Sequence, residues 1–500
     1  MEKEDLQNLV THLEENLRAS VKTRVKFIDP RGFRKRILTK QNHVVYGRRG
    51  AGKSLLVTSL KNENDLIPVY VNLDDYKDIT FPNILIHTLS EILTQLHDTS
   101  KQRKRFGSFF ARGRIRKKID SLKKALKEPD AGTRGEKTTS SSKKDNSIEL
   151  AKGPVTGKSG ESLGYSKEVE RTIPENKLDD LRKHLGDYKH IILELEKIID
   201  DTPIYLILDD LYFIPKKIQP EFVDYLHRLT KGTNLFLKIA TIKHRSKLYR
   251  QSSGEFIGVE LNHDIFDIDL DYTLDKFSIL KDFMIGILKD AASTLNIDDS
   301  VEELFSGDGF SQLCLASGGV PRDFIRLFVN LGTKQIAGSI TKIGKIEVND
   351  SAIETYASKL ESLKTDSPDE RELLEQYLTN VKDYIYNHKR TNSFLIAKEE
   401  FEKNPYDGQA IKELVDLRLL HLVDSNISAA PSDGRRYEAY LLDVSLYDNS
   451  RPRNFEQIEP DAIDNKSRKD KLRASPRITI EILRNNQRKP VQTVLELSTE

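Results

Sequence analysis

The sequence predicts an α/β fold in which a buried parallel sheet is flanked by helices, and three observations predict it. The first is His43-Val44-Val45-Tyr46, a short β-prone run, followed by Gly47-Arg48-Arg49-Gly50-Ala51-Gly52-Lys53-Ser54 and then by Leu55, Leu56, Val57 and Leu60. The second is the continuous apolar run Ile204-Tyr205-Leu206-Ile207-Leu208, which ends in Asp209-Asp210. The third is Asn234 to Thr241, another strand-like run closed by a polar residue. Apolar runs of this length, separated by amphipathic stretches, are how parallel strands joined by crossover helices read in a sequence.

Taken in order, the chain begins with Leu6, Leu9, Val10, Leu13 and Leu17 on one face of a helix, interleaved with charges. That pattern is neither a signal peptide nor a membrane span. No stretch reaches about 18 apolar residues, so a soluble, cytoplasmic protein with no membrane partner is expected. Cys314 is the single cysteine, which excludes a disulfide framework within the chain. The 80 basic residues nearly balance the 78 acidic ones, so any basic surface has to be local.

Residues 47 to 54 fit the spacing G-x-x-x-x-G-K-[ST] between a strand and a helix. Gly47 and Gly52 let the backbone curl so that successive N–H groups, from Arg48, Arg49, Gly50 and Ala51 onward, point at one anion. The helix expected from Lys53 adds its positive end. Lys53 then reaches the β- and γ-phosphates of a nucleotide, and the Ser54 hydroxyl ligates Mg²⁺. ATP and Mg²⁺ are the expected ligands.

Leu66 to Leu73 reads as a second buried strand and Phe81 to His97 as an amphipathic helix. From Lys101 to Lys118 there are nine basic residues and no acidic ones, with Phe106, Phe109 and Phe110 among them. Such a segment suits single-stranded nucleic acid, by stacking and backbone contact, or a plain solvated arm. Residues 130 to 176 carry few large apolar side chains, so a partly disordered insertion is expected over about 100–176. Gly157-Lys158-Ser159 within it lacks the upstream glycine and strand of a phosphate loop. Order is expected again from Lys177 to about Ile199, as a helix.

At the end of the Ile204 strand, Asp209 is expected to hold Mg²⁺ and Asp210 to orient or deprotonate the attacking water. Thr241 closes its strand where a γ-phosphate or water would lie. Arg245 just beyond is a candidate for action within the chain or on a neighbouring subunit, and equally an ordinary loop residue. Within a helical region from about Leu274 to Ile336, Gly318-Gly319-Val320-Pro321-Arg322-Asp323 starts a helix that aims the Arg322 guanidinium at a phosphate.

Together these motifs resemble the AAA+ and STAND branch of P-loop ATPases, with initiator-type ATPases of the origin-recognition family and their bacterial relatives as the nearest likeness. The resemblance covers about residues 25 to 340, less the insertion. It implies that Gly47, Gly52, Lys53 and Ser54 form Walker A, Asp209 and Asp210 Walker B, Thr241 sensor 1 and Arg322 the sensor 2 arginine. Phe27-Ile28-Asp29-Pro30-Arg31 resembles the upstream segment that packs on adenine. Such ATPases usually carry glutamate where this chain has Asp210. The shorter carboxylate arm implies slow turnover and a switch rather than a motor.

The domain reading is an N-terminal helix over 1–24, a P-loop ATPase core over 25–272, a helical lid over 273–365, a winged-helix-like domain over 366–450 and a tail of unknown structure over 451–500. In the winged-helix-like part, helices are expected over Glu370 to Tyr386 and Asp407 to Leu419. Strands are expected over His421 to Ile427 and Tyr437 to Leu446, with a further one over Arg477 to Leu483. Between Asp407 and Tyr440 four basic residues face six acidic ones, a weak balance for DNA. Two functions follow: an ATPase that assembles on DNA, possible in antiphage defence by the resemblance, or a signalling NTPase that recruits protein partners. The resemblance also raises a homo-oligomer as a possible assembly.

Overall fold

The computed structural model describes residues 1–17, 29, 31–102, 108–128, 175–252, 254–297, 301–366, 370–448, 450–459 and 470–484. Residues 27, 28 and 30 of the segment expected to pack on adenine, Phe106 and the Gly157-Lys158-Ser159 run lie outside them.

Helix α1 (Lys3–Glu15) buries Leu6, Leu9, Val10 and Leu13, the stripe expected from its spacing. Asp29 caps α2 (Phe33–Ile37) by accepting the N–H groups of Phe33 and Arg34, each at 2.7 Å. There follow β1 (His43–Tyr46), α3 (Lys53–Ser59), β2 (Ile67–Asn72), α4 (Asn83–Gln102), α5 (Ser108–Lys127), α6 (Glu175–Lys183), α7 (Leu185–Ile198), β3 (Ile204–Asp209), α8 (Gln219–Thr230) and β4 (Leu235–Thr241). Strands β5 (Tyr249–Ser252) and β6 (Glu255–Gly258) make an antiparallel pair, and β7 (Phe266–Asp269) completes the main sheet.

Among the described residues five parallel strands form that sheet in the order β2-β3-β4-β1-β7. The chain therefore leaves β1 in the interior of the sheet and enters β2 at its far edge. Tyr46 pairs with Thr241 and Asp269, and Asn72 with Asp209, so all five C-terminal ends finish along one edge. Ligands in open parallel sheets sit at that edge, where strand order reverses. Both faces are covered: Val44, Leu206 and Leu208 enter one apolar cluster, whereas Val45, Tyr205 and Ile207 enter another.

Two expectations need correction here. Residues 108 to 127, expected within a partly disordered insertion, form the ordered helix α5, because Ile115, Ile119 and Leu122 recur at helical spacing and are buried. Arg112 donates to the Ser100 carbonyl at 2.6 Å, Arg114 pairs with Glu194 at 2.6 Å and Lys118 with Asp187 at 3.6 Å, so part of the basic run is spent on packing. Strand β2, expected to be buried throughout, alternates buried and half-buried positions because it is the edge strand. Its Pro68 is tolerated there for the same reason.

The lid comprises α9 (Phe277–Thr294), α10 (Gly309–Ala316), α11 (Pro321–Ile336), α12 (Lys345–Glu354) and α13 (Tyr356–Asp366). Helix α1 packs on α11, where a Cβ on Gly332 would come within 2.6 Å of Val10. The N-terminal helix is thus built into the lid. The C-terminal domain has α14 (Arg371–Val381), extended by a π-turn over Lys382–His388, then β8 (Ser393–Ala397), α15 (Lys398–Lys403), α16 (Pro405–Asp416), β9 (Leu420–Ser428) and β10 (Arg436–Leu442). The expected second strand shortens because Val444–Leu446 forms a 3₁₀ turn. The tail supplies β11 (Arg477–Ile478), parallel to β8, and a short helix Ile480–Arg484, so the longer strand expected there stops after two residues. Arg484 grips Asp407 at 2.5 and 2.9 Å, which ties this tail to α16.

Candidate functional site

The turn after β1 is held from two sides. Gly47 N–H donates to the Thr241 carbonyl at 3.3 Å, and Ala51 N–H to the Arg48 carbonyl at 3.1 Å. Gly50 and Gly52 have φ of +91° and +94°, a region in which side chains are strained, so glycine lets the loop curl there. Arg48 departs from the expected role. Its N–H donates to the Asp271 carboxylate at 2.9 Å, its Nε to the same group at 3.2 Å and its Nη2 to the Tyr272 carbonyl at 3.1 Å. The side chain is buried behind the loop, so Arg48 anchors the loop instead of offering a donor to an anion.

Lys53, Ser54, Arg49, Gly50, Gly52, Asp210 and Arg322 line one cavity of about 310 Å³. That size lies in the range of small-molecule sites. Lys53 is buried and folds onto the loop, donating to the carbonyls of Gly47 at 2.9 Å and Arg48 at 3.3 Å. Burial lowers its pKa, opposed by the carboxylates of Asp210, Asp271 and Asp209. Asp210, at φ +58°, turns out of the end of β3 into the cavity. Burial and the adjacent Asp209 raise its pKa to about 6.

Asp209 lies behind this surface, 2% exposed. Its Oδ2 accepts the Tyr70 hydroxyl at 2.9 Å, whereas its Oδ1 is buried with no hydrogen-bond partner. A buried carboxylate oxygen without a donor is costly unless a cation completes it. Among the described residues no cluster of three or more His, Cys, Asp or Glu side chains is arranged to hold a metal alone. The unpartnered Oδ1 of Asp209 is thus an oxygen left open to a cation of the Mg²⁺ kind, which takes most of its other ligands from phosphate and water.

Arg322 begins α11, whose start is pressed against the loop: its N–H reaches the Gly50 carbonyl at 3.4 Å, and a Cβ on Gly50 would lie 2.8 Å from the Arg322 Cβ. Burial is the largest influence on its guanidinium, lowering its pKa, with Asp323 opposing and Arg49 reinforcing. Thr241 is buried and its hydroxyl is bonded to that of Ser246, so its Oγ1 does not line the cavity. Arg245 also stands outside; its guanidinium lies 5.3 Å over the ring of Tyr212, which does line it.

Sequence reasoning passed over Asp74, Tyr212, Phe213, Pro321, Ile325, Asn16 and Leu17, all of which face the cavity. Asp74 had a signal: Leu73-Asp74-Asp75 follows β2 much as Asp209-Asp210 closes β3, and both strands end at the same edge. Asn16 and Leu17 had none, because nothing local reveals that α1 docks on the lid.

No family model matches the sequence, and no curated protein matches it. Among solved structures the chain is similar to Drosophila ORC bound to DNA, with 12% identity over 88% of this chain and 90% of that one and a TM-score of 0.35. It is also similar to the Aeropyrum pernix ORC1 protein in complex with DNA, with 15% identity, 88% of each chain and a TM-score of 0.30. A Thermotoga maritima RuvB mutant follows at 13% identity, over 76% and 77% of the two chains, with a TM-score of 0.27. At such identities and scores these likenesses carry no argument about chemistry, which rests on the cavity's own geometry.

Proposed function

We propose that the chain binds Mg-ATP in this cavity and hydrolyses it slowly, as a nucleotide-dependent switch of the AAA+/STAND type. The observation that carries the reading is the convergence of Lys53, Ser54, Asp210 and Arg322, from three distant segments, on one cavity floored by Gly50 and Gly52. Three cations, Arg49, Lys53 and Arg322, offset the charge of a polyphosphate, and an arginine fork suits its oxygens. A bound Mg²⁺, held by Ser54 and Asp209, would supply charge neutralisation at the phosphates. Asp210 is the candidate base for the attacking water, with a pKa of about 6 that leaves it largely ionised at neutral pH. Thr241, bonded to Ser246, supports the loop through its carbonyl rather than sensing phosphate.

The test is equilibrium binding of ATP and phosphate release for the wild type, Lys53→Ala and Asp210→Asn. Lys53→Ala is expected to abolish binding, and Asp210→Asn to bind ATP yet release phosphate at least about a hundredfold more slowly, the usual scale of general-base loss. Unchanged ATP binding by Lys53→Ala would remove the nucleotide site, and unchanged phosphate release by Asp210→Asn would remove the base.

What the switch controls has two readings. A protein-directed output is favoured by the C-terminal domain, whose α16 packs on the loop after β4 and is short of free basic charge. A DNA-directed output is favoured by α5, where Arg116, Lys117, Lys123, Lys124 and Lys127 are exposed with Asp120 alone among exposed acids inside that stretch. Low-salt DNA titration separates them. DNA binding through α5 predicts an affinity that falls steeply with salt and is lost when Lys123 and Lys124 become glutamate. No binding at low salt leaves the protein-directed output. Antiphage defence and a homo-oligomer belong to this proposal only through the family resemblance.

A further inference from the structure

We infer that Arg418, a C-terminal-domain residue outside the nucleotide cavity, is a positioning residue for Arg322: it clamps Asp323 and thereby fixes the first turn of α11 so that Arg322 faces the phosphate-binding loop. The inference rests on the nucleotide reading above and adds to it a residue from another domain.

The need for such a clamp follows from the surroundings of Arg322. Its side chain is half-buried, and Arg49 on the facing loop repels it. A flexible cation so placed tends to swing toward water unless its backbone is pinned. The loop pins one side, through the Gly50 carbonyl and the close approach of Gly50 to the Arg322 Cβ. Asp323 pins the other. Its two carboxylate oxygens accept from Arg418 Nη1 at 2.8 and 2.9 Å, and both side chains are only about a tenth exposed.

Arg418 is itself held in an unfavourable conformation to do this. It has φ +64° in the turn between α16 and β9, and its Nε is buried without a partner. Left-handed backbone at a residue other than glycine persists where the surroundings over-determine it. Here Lys359 donates to the Arg418 carbonyl at 3.3 Å and to Asp443 at 2.6 Å, and Asp443 meets His421 at 2.8 Å. The His421 ring in turn fills the space beside Gly318, where a Cβ would lie 2.1 Å from it. The segment leading into Arg322 is therefore braced by the C-terminal domain at Gly318 and again at Asp323.

The competing possibility is that Arg418 merely staples two domains together. Mg-ATP dissociation constants of the full chain distinguish the two, measured for the wild type, Lys53→Ala, Arg322→Ala, Arg418→Ala, Arg418→Lys and the Arg322→Ala/Arg418→Ala pair. Positioning predicts that Arg418→Ala weakens Mg-ATP about tenfold, the scale of one charge-assisted hydrogen bond. It also predicts that Arg418→Lys recovers most of that loss, and that Arg418→Ala adds nothing once Arg322 is alanine. An equal loss in both backgrounds, or no loss in the wild-type background, overturns it. Should Arg418→Ala fail to fold, Asp323→Asn with and without Arg322→Ala carries the same comparison. Failure of the nucleotide reading looks different: Lys53→Ala would then bind Mg-ATP like the wild type. Loss of binding in Lys53→Ala beside an unaffected Arg418→Ala sinks this inference alone.

Discussion

Asp416 ends α16 as a carboxyl almost wholly removed from water, with Oδ2 buried and unpartnered. Burial first, and the nearby Asp271 second, raise its pKa to about 8, while Arg48 and the His244 N–H pull it back. A raised folded-state pKa means that the native chain holds this proton more tightly than the unfolded chain. Its contribution to stability is full below about pH 4 and drains away as pH climbs toward 8. Asp416→Asn keeps the shape and cannot ionise, so its advantage over the wild type should grow by up to about 1.4 kcal/mol per pH unit across that window and then level off. Denaturant unfolding at pH 5, 7 and 9 reads this out, and an advantage independent of pH would refute it. Gly50 gives a functional counterpart. Alanine there meets both a φ of +91° and the Arg322 Cβ at 2.8 Å, so the loop and α11 must separate. ATP affinity should fall by about tenfold or more, since the strain of a misplaced left-handed residue is 1–2 kcal/mol; calorimetric titration giving wild-type affinity would show that the contact is slack. At this scale Lys53, Ser54, Asp210 and Arg322 were legible because each sits in a spaced motif. The use of Arg48 as an anchor was not, because its partner Asp271 is 223 residues away.

Helices α1 and α5 show what periodicity conveys and what charge hides. The stripe of Leu6, Leu9, Val10 and Leu13 announced a helix, but its destination on α11 depended on Gly332, a small residue whose meaning appears only when two helices meet. Leu9 is fully buried in the apolar cluster that α1 shares with the lid, so Leu9→Ala should cost about 2–4 kcal/mol of lid stability by leaving a cavity. Because Asn16 and Leu17 follow α1 into the cavity proposed to bind nucleotide, the same change should also weaken ATP binding. Hydrogen exchange in α11 and an ATP titration check the two halves, and an unaltered exchange rate in α11 would mean that α1 is not packed there in solution. In α5 the Ile115, Ile119 and Leu122 stripe was present in the sequence, yet a run of nine cations suggested an arm. Three buried aliphatic residues, each contributing about 1.5–3 kcal/mol, outweigh exposed like charges that solvent screens. Strand β7 escaped for the opposite reason: Phe266-Asp267-Ile268-Asp269 alternates with carboxylates because it lies at the edge of the sheet.

Across the whole molecule the C-terminal domain meets two of the segments that line the cavity and a third, the loop after β4, that stands just outside it. Glu413 of α16 pairs with Lys216, in the stretch that follows Asp210, at 2.6 Å. Gln409 donates to the His244 carbonyl, in the loop after β4, at 2.6 Å. Arg418 holds Asp323 beside Arg322. If nucleotide shifts any of these segments, it shifts the docking of the domain, and linkage requires the reverse effect to be of equal size. Lys216→Ala tests this without touching the cavity, because it leaves the Glu413 carboxylate, 2% exposed, without that partner and so loosens α16. Hydrogen exchange within α16 should quicken in Lys216→Ala. ATP affinity should change by several-fold, within the range of ordinary coupling energies of about 1–3 kcal/mol. Saturating ATP should then alter α16 exchange in the wild type by a matching factor. Faster exchange in α16 with an ATP affinity identical to the wild type would separate the domain from the nucleotide and leave the cavity without a reader. The sign of the change carries the mechanism: tighter ATP binding on loosening would mark the docked domain as a restraint on the site, and weaker binding would mark it as part of the site.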